Sequence, residues 1–108
     1  MTTFDDRERA FEAKFAHDAE MRFRAEARAV MKLSLWAGRD TGKNDDALVG
    51  YAKELIGLWL SASGSQHVFD RVAADAAAAG RPMDAAAVGR RYVELLAESK
   101  GELAAQHG

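Results

Sequence analysis

The chain has 108 residues, 48% of them hydrophobic and 30% charged, with a formal net charge of -2 and no cysteine. That is enough apolar material for one domain with one core. It lacks the basic excess of a nucleic-acid binder, and it has no thiol for disulfides, nucleophilic chemistry or a thiolate zinc site.

The opening stretch, Met1 to Arg28, reads MTTFDDRERAFEAKFAHDAEMRFRAEAR. Acids and bases nearly cancel along it. Pairs such as Asp18–Arg22 and Glu20–Arg24 stand acid before base at i,i+4, the favourable order on a helix. Phe4, Phe11 and Phe15 recur through this charge and fall within roughly 40° of one another on a helical wheel. Phe23 and Val30 lie some 80–100° further round. The reading is therefore two segments with two jobs, 1–18 facing outward and 19–108 forming the bundle. An aromatic stripe on a charged helix is the pattern of helix-in-groove recognition. Its sparse apolar content predicts a mobile or protruding arm that orders on a partner. The alternative is that the three phenylalanines pack on the end of the bundle.

The helix continues to about Trp36, and Gly38 to Asn44 reads as the break. Asn44 or Asp45 caps a second helix through YAKELIGLWL to about Leu60. Ser61 to Ser65 is the next break, and a third helix runs from about Gln66 to the stop at Gly80 and Pro82. Asp84 caps the fourth, with Met83 and Val88 at the spacing of a hydrophobic staple. That helix is expected to fray beyond Gly101. There is no hairpin signal and no alternating run of β-branched residues. The expected fold is all-α, a four-helix bundle with an N-terminal helical arm, or three helices with a long first one. Its core draws on Leu33, Trp36, Leu48, Leu55, Ile56, Trp59, Phe69, Val72, Val88, Tyr92, Leu95 and Leu96. Gly50 and Gly57, seven apart on one face, are either simply tolerated inside the helix or mark a close helix crossing.

Gly38 to Lys43 resembles a phosphate loop only superficially. It is too short between its glycines, no strand precedes it, and Asn44 stands where a magnesium-binding hydroxyl belongs. His17, His67 and His107 lack metal-ligand spacing. Ser61, Ser63 and Ser65 have no motif placing a base beside them. Arg90 and Arg91 read as a solvated face, with contact to a partner as the alternative. No window approaches the roughly 18 apolar residues of a membrane span, and the start lacks a secretory signal. A non-enzymatic cytoplasmic protein is expected, with no nucleic acid and no direct membrane insertion.

The run TFDDRERAFEAKFAHDAEMRFRAEAR is similar to the start of the zeta subunit family, inhibitors of the F-type ATP synthase in certain bacteria. LSLWAG, YAKEL, VFDRVAAD and ELLAESK resemble later segments of that family in the same order. At Ala29-Val30-Met31 the chain departs from the family's basic residue and asparagine. The resemblance implies an inhibitory arm that enters a catalytic interface between the α and β subunits and blocks hydrolysis preferentially over synthesis. Its contact residues here would be Phe4, Asp5, Arg7, Glu8, Arg9, Phe11, Lys14 and Phe15. The central stalk is a further candidate contact. The site implied is peripheral, on the cytoplasmic side of the inner membrane. No cofactor is required, and weak nucleotide binding by the bundle is left open. The competing reading is a helical interaction module that docks its arm on another protein or on itself.

Overall fold

The computed structural model describes residues 3–62 and 64–107, with side chains over 5–62 and 64–106. Four helices follow one another: α1 (Thr3–Asp40), α2 (Asp45–Ser61), α3 (Gln66–Ala78) and α4 (Ala85–His107), with no strand among the described residues. The fold is an all-α four-helix bundle. At 65 × 26 × 22 Å it is long for its mass. The 38 residues of α1 alone span about 57 Å at 1.5 Å per residue.

Local chemistry sets the breaks. Gly42 has φ +84°, and the last turn of α1 closes through Lys43 N–H to Gly38 C=O at 2.9 Å and Gly42 N–H to Arg39 C=O at 3.1 Å. Gly80, φ +78°, ends α3 in the same way, with Arg81 N–H on Ala76 C=O at 2.9 Å and Gly80 N–H on Ala77 C=O at 3.1 Å. Both are Schellman motifs, which need the left-handed conformation that glycine adopts without strain. Asn44 caps α2 by accepting from Ala47 N–H at 2.9 Å. Asp84 caps α4 by accepting from Ala86 N–H at 3.2 Å.

The core forms where all four helices overlap. Leu33, Leu55, Val30, Val68, Val72 and Val88 are its largest fully buried side chains. Of the twelve residues expected there, Leu33, Leu48, Leu55, Val72, Val88, Tyr92 and Leu95 are buried, while Trp36, Ile56, Trp59, Phe69 and Leu96 pack against it half-covered. Among the described residues, Ser34 and Ser99 are fully buried, and both hydroxyls are satisfied within their own helix. Ser34 donates to Val30 C=O at 2.8 Å and Ser99 to Leu95 C=O at 2.7 Å.

Four expectations are corrected. The first helix does not stop at Trp36 but runs through Gly38 to Asp40. Gly38 is there for close approach: a Cβ on it would lie 2.5 Å from Leu48 Cδ2. The fourth helix does not fray at Gly101, because Leu103 is buried and Glu102 is paired with α1. Gly50 and Gly57 mark no crossing, since a Cβ at either would meet nothing within 4 Å. The two faces of α1 are not some 80–100° apart either. Ala25, Ala29, Val30, Leu33, Ser34 and Ala37 are its buried positions. On the wheel they centre within about 30–40° of the phenylalanine stripe. Phe23 and Val30 mark one flank of the core stripe, and Ala25 and Ala29 supply the other.

Candidate functional site

Residues 5–40 of α1 divide by exposure. Every side chain from Asp5 to Asp18 is exposed, and from Ala25 onward the helix contributes steadily to the core. The cause is length: α2 has 17 residues and spans about 26 Å, so it cannot flank all of α1. The Phe23–Trp59 pair, ring centroids 5.2 Å apart, marks the level at which α2 ends.

Phe11 is 71% and Phe15 65% exposed, one helical turn apart on the same face. They therefore do not pack on the end of this bundle. Arg7, Glu8, Arg9 and Lys14 are exposed around them, as is Asp5, which makes contacts of its own. Phe4 belongs to the helix, with its side chain outside the described ones. The helix thus brings the anticipated residues together on one projecting rod, with the aromatic pair on one stripe and charges of both signs around it. Such a rod has the anchors and the charged surround of a binding helix.

Beneath the rod, α4 is clamped to α1 by charge. Arg28 pairs with Glu102 at 3.2 Å, and Lys32 reaches both Glu98 at 3.0 Å and Glu102 at 2.7 Å. The hydrogen bond from Lys32, then that from Arg28, holds the Glu102 carboxyl below the usual range against partial desolvation. Chiefly through Glu102, the same network raises the Lys32 ammonium. Sequence reading missed this clamp because it joins residues 66 to 74 positions apart. A groove of about 300 Å³ lies just above it, lined by Asp18, Met21, Arg22, Ala25, Lys100, Leu103 and Ala104.

Other signals resolve into structure. Gly38 to Lys43 is the last turn of α1 and its Schellman closure, so a helix rather than a strand leads into it. His17 and His67 are exposed, and the side chain of His107 and all of Ser63 lie outside what is described. Among the described residues no cluster of three or more His, Cys, Asp or Glu could hold a metal ion. Nor is any described helix long and apolar enough to cross a membrane. Ser61 donates to Leu58 C=O at 3.2 Å. Arg91 is half-buried, bonded to Glu94 at 2.7 Å and set over the Trp36 ring at 5.8 Å, so it is not a solvated arginine. Tyr92 is pushed up to about 12 by burial and by Glu26, a consequence of packing.

The family model described as ATPase inhibitor subunit zeta matches residues 1–102. The comparison with curated proteins gives no match, and neither does that with solved structures.

Proposed function

This chain belongs to the ATPase inhibitor subunit zeta family, and we propose that it inhibits the F-type ATP synthase by inserting its N-terminal arm, residues 1–18, into a catalytic interface between the α and β subunits. The observation that carries this is the exposure of Phe11 and Phe15 on a helix that extends past its own bundle. A stripe so placed costs solubility and contributes almost nothing to folding, which fits a surface kept for another protein. Phe4, Phe11 and Phe15 are the anchors. Asp5, Arg7, Glu8, Arg9 and Lys14 form a charged rim that guides association. No cofactor enters, and the protein sits peripherally on the cytoplasmic side of the membrane through the synthase.

Hydrolysis is blocked preferentially over synthesis. An arm that binds one state of an interface better than the others shifts the cycle only by that difference. In the hydrolytic direction an open interface admits the arm and then closes on it. In the synthetic direction the same interface opens and releases it. The test is to measure ATP hydrolysis and ATP synthesis in one preparation of coupled membranes, with and without the protein. Suppressed hydrolysis beside nearly unchanged synthesis is expected. Equal suppression of both would leave an inhibitor without directionality, and no effect on either would overturn the reading.

A further inference from the structure

Phe11 and Phe15 divide two kinds of charge. At about 100° per residue, Glu8 and Glu12 lie roughly 40–80° to one side of the line through the two phenylalanines. Arg7 and Lys14 lie roughly 60–80° to the other side. Asp5 continues the acidic side at about 100°. Asp6 and Arg9 stand behind the stripe, where their charges cancel. α1 is continuous through all of these positions, and every side chain from Asp5 to Phe15 is exposed. The projecting rod therefore has an acidic flank, an aromatic ridge and a basic flank. The sorting ends where the arm meets the bundle: Asp18 stands on the basic side, in the groove shared with α4.

Helix stability does not explain this sorting. Glu8 and Glu12 are four apart and Asp5 and Glu8 three apart, spacings at which like charges repel along a helix. Further down α1, Glu20 and Arg24 take the opposite-signed arrangement and close at 2.6 Å. The helix dipole favours acids in the first turn, but it has no preference around the axis, and Glu12 lies beyond its reach. Solubility calls for charges of both signs interspersed, not sorted to two sides of an exposed aromatic ridge.

We infer that the groove receiving the arm has walls of opposite sign, a basic wall against Glu8 and Glu12 and an acidic wall against Arg7 and Lys14. The inference rests on the arm reading above, and it makes these four residues the determinants of orientation. Two rings one turn apart present much the same apolar surface when the helix is turned end for end. With the ridge still facing the groove floor, that reversal carries each flank to the opposite wall. Like charges then meet on both sides, and the wrong direction of entry is rejected.

The experiment titrates ATP hydrolysis by the purified cognate catalytic sector with full-length chains. The main variant exchanges the flanks: Arg7→Glu, Glu8→Arg, Glu12→Lys and Lys14→Glu together, which leaves the net charge unchanged. Two half variants reverse one flank each, Glu8→Arg with Glu12→Lys, and Arg7→Glu with Lys14→Glu. Phe11→Ala tests the arm reading itself. The control exchanges an exposed pair below the arm, Glu20→Arg with Arg24→Glu. The full exchange is expected to raise the half-inhibitory concentration about tenfold or more, since like charges placed face to face across an interface are costly. Both half variants should weaken inhibition, and the control should inhibit like the native chain. Helical content by circular dichroism should be alike in all. If the full exchange loses helix, Glu12→Lys with Lys14→Glu replaces it, with the same expected direction. Stronger inhibition from either half variant would overturn the inference, because a groove of one sign gains from one reversal what it loses from the other. Native-like inhibition by the exchanged chain, with Phe11→Ala impaired, would overturn the two-signed groove and leave the arm reading standing. Native-like inhibition by both would bring down the arm reading and the groove with it. An equal loss from the control would also overturn the inference, by making the effect one of rearranged charge anywhere on α1.

Discussion

Residues 5–18 and 19–40 belong to one helix and carry one apolar stripe, but only the second segment is covered. Ala29, Val30 and Leu33 are fully buried, whereas Phe11 is 71% exposed. The larger aromatic groups are thus in solvent and the smaller aliphatic ones inside, the reverse of what burial energetics alone would choose. Neighbours account for the difference. α2 and α4 end beside Phe23 and Met21, and nothing of this chain described here stands over the phenylalanines. A periodic stripe says which face of a helix wants cover, and the lengths of the other helices decide whether the chain itself supplies it.

The comparison predicts opposite responses to the same kind of truncation. Leu33→Ala should cost about 2–5 kcal/mol of folding stability, the range for emptying a packed leucine site. This should appear as a large drop in melting temperature. Phe11→Ala and Phe15→Ala should leave the melt almost unmoved. At least one should weaken inhibition by about 2 kcal/mol, the size of an interface hot spot. A melt that falls as far for Phe11→Ala as for Leu33→Ala would erase the distinction between the two halves.

The junction gives a smaller effect with a definite sign. Glu102 is held below its ordinary range in the folded chain, so its contribution is in place above that range and is lost as pH falls through the folded value. Lys32 is raised, so its contribution is in place below the ordinary amine range and is lost as pH rises through the folded value. The difference in melting temperature between the native chain and Glu102→Gln should be flat through neutral pH and shrink toward zero in acid. A difference that grew on acidification would contradict the clamp. Smallest of all, Gly57→Ala should raise stability by up to about 1 kcal/mol, since the added methyl meets open space and the helix gains. A lower melt would restore the close crossing that the structure removes.

Much of the fold follows from local chemistry. Asn44, Gly80 and Asp84 act at the ends of helices, where capping geometry depends on a few adjacent residues. The exposed aromatic stripe of the candidate site follows from spacing alone. What local chemistry could not convey depends on distant neighbours. Gly38 looks like a breaker until Leu48 is seen against it. Gly101 looks like an end until Leu103 and Glu102 are found on α1. Phe23 and Val30 stand on one flank of the core face, and Ala25 and Ala29 on its other flank carry little hydrophobic signal, so spacing alone sets the two halves of α1 further apart than they are.

The central claim is that the uncovered half of α1 does the inhibiting and the covered half only carries it. The most direct measurement compares the full chain with a chain of residues 19–108, in two readouts on the same samples: thermal unfolding and inhibition of ATP hydrolysis by the purified catalytic sector. The prediction is a nearly unchanged melt and abolished inhibition. A truncated chain that unfolds, or one that folds and still inhibits with native potency, would contradict it.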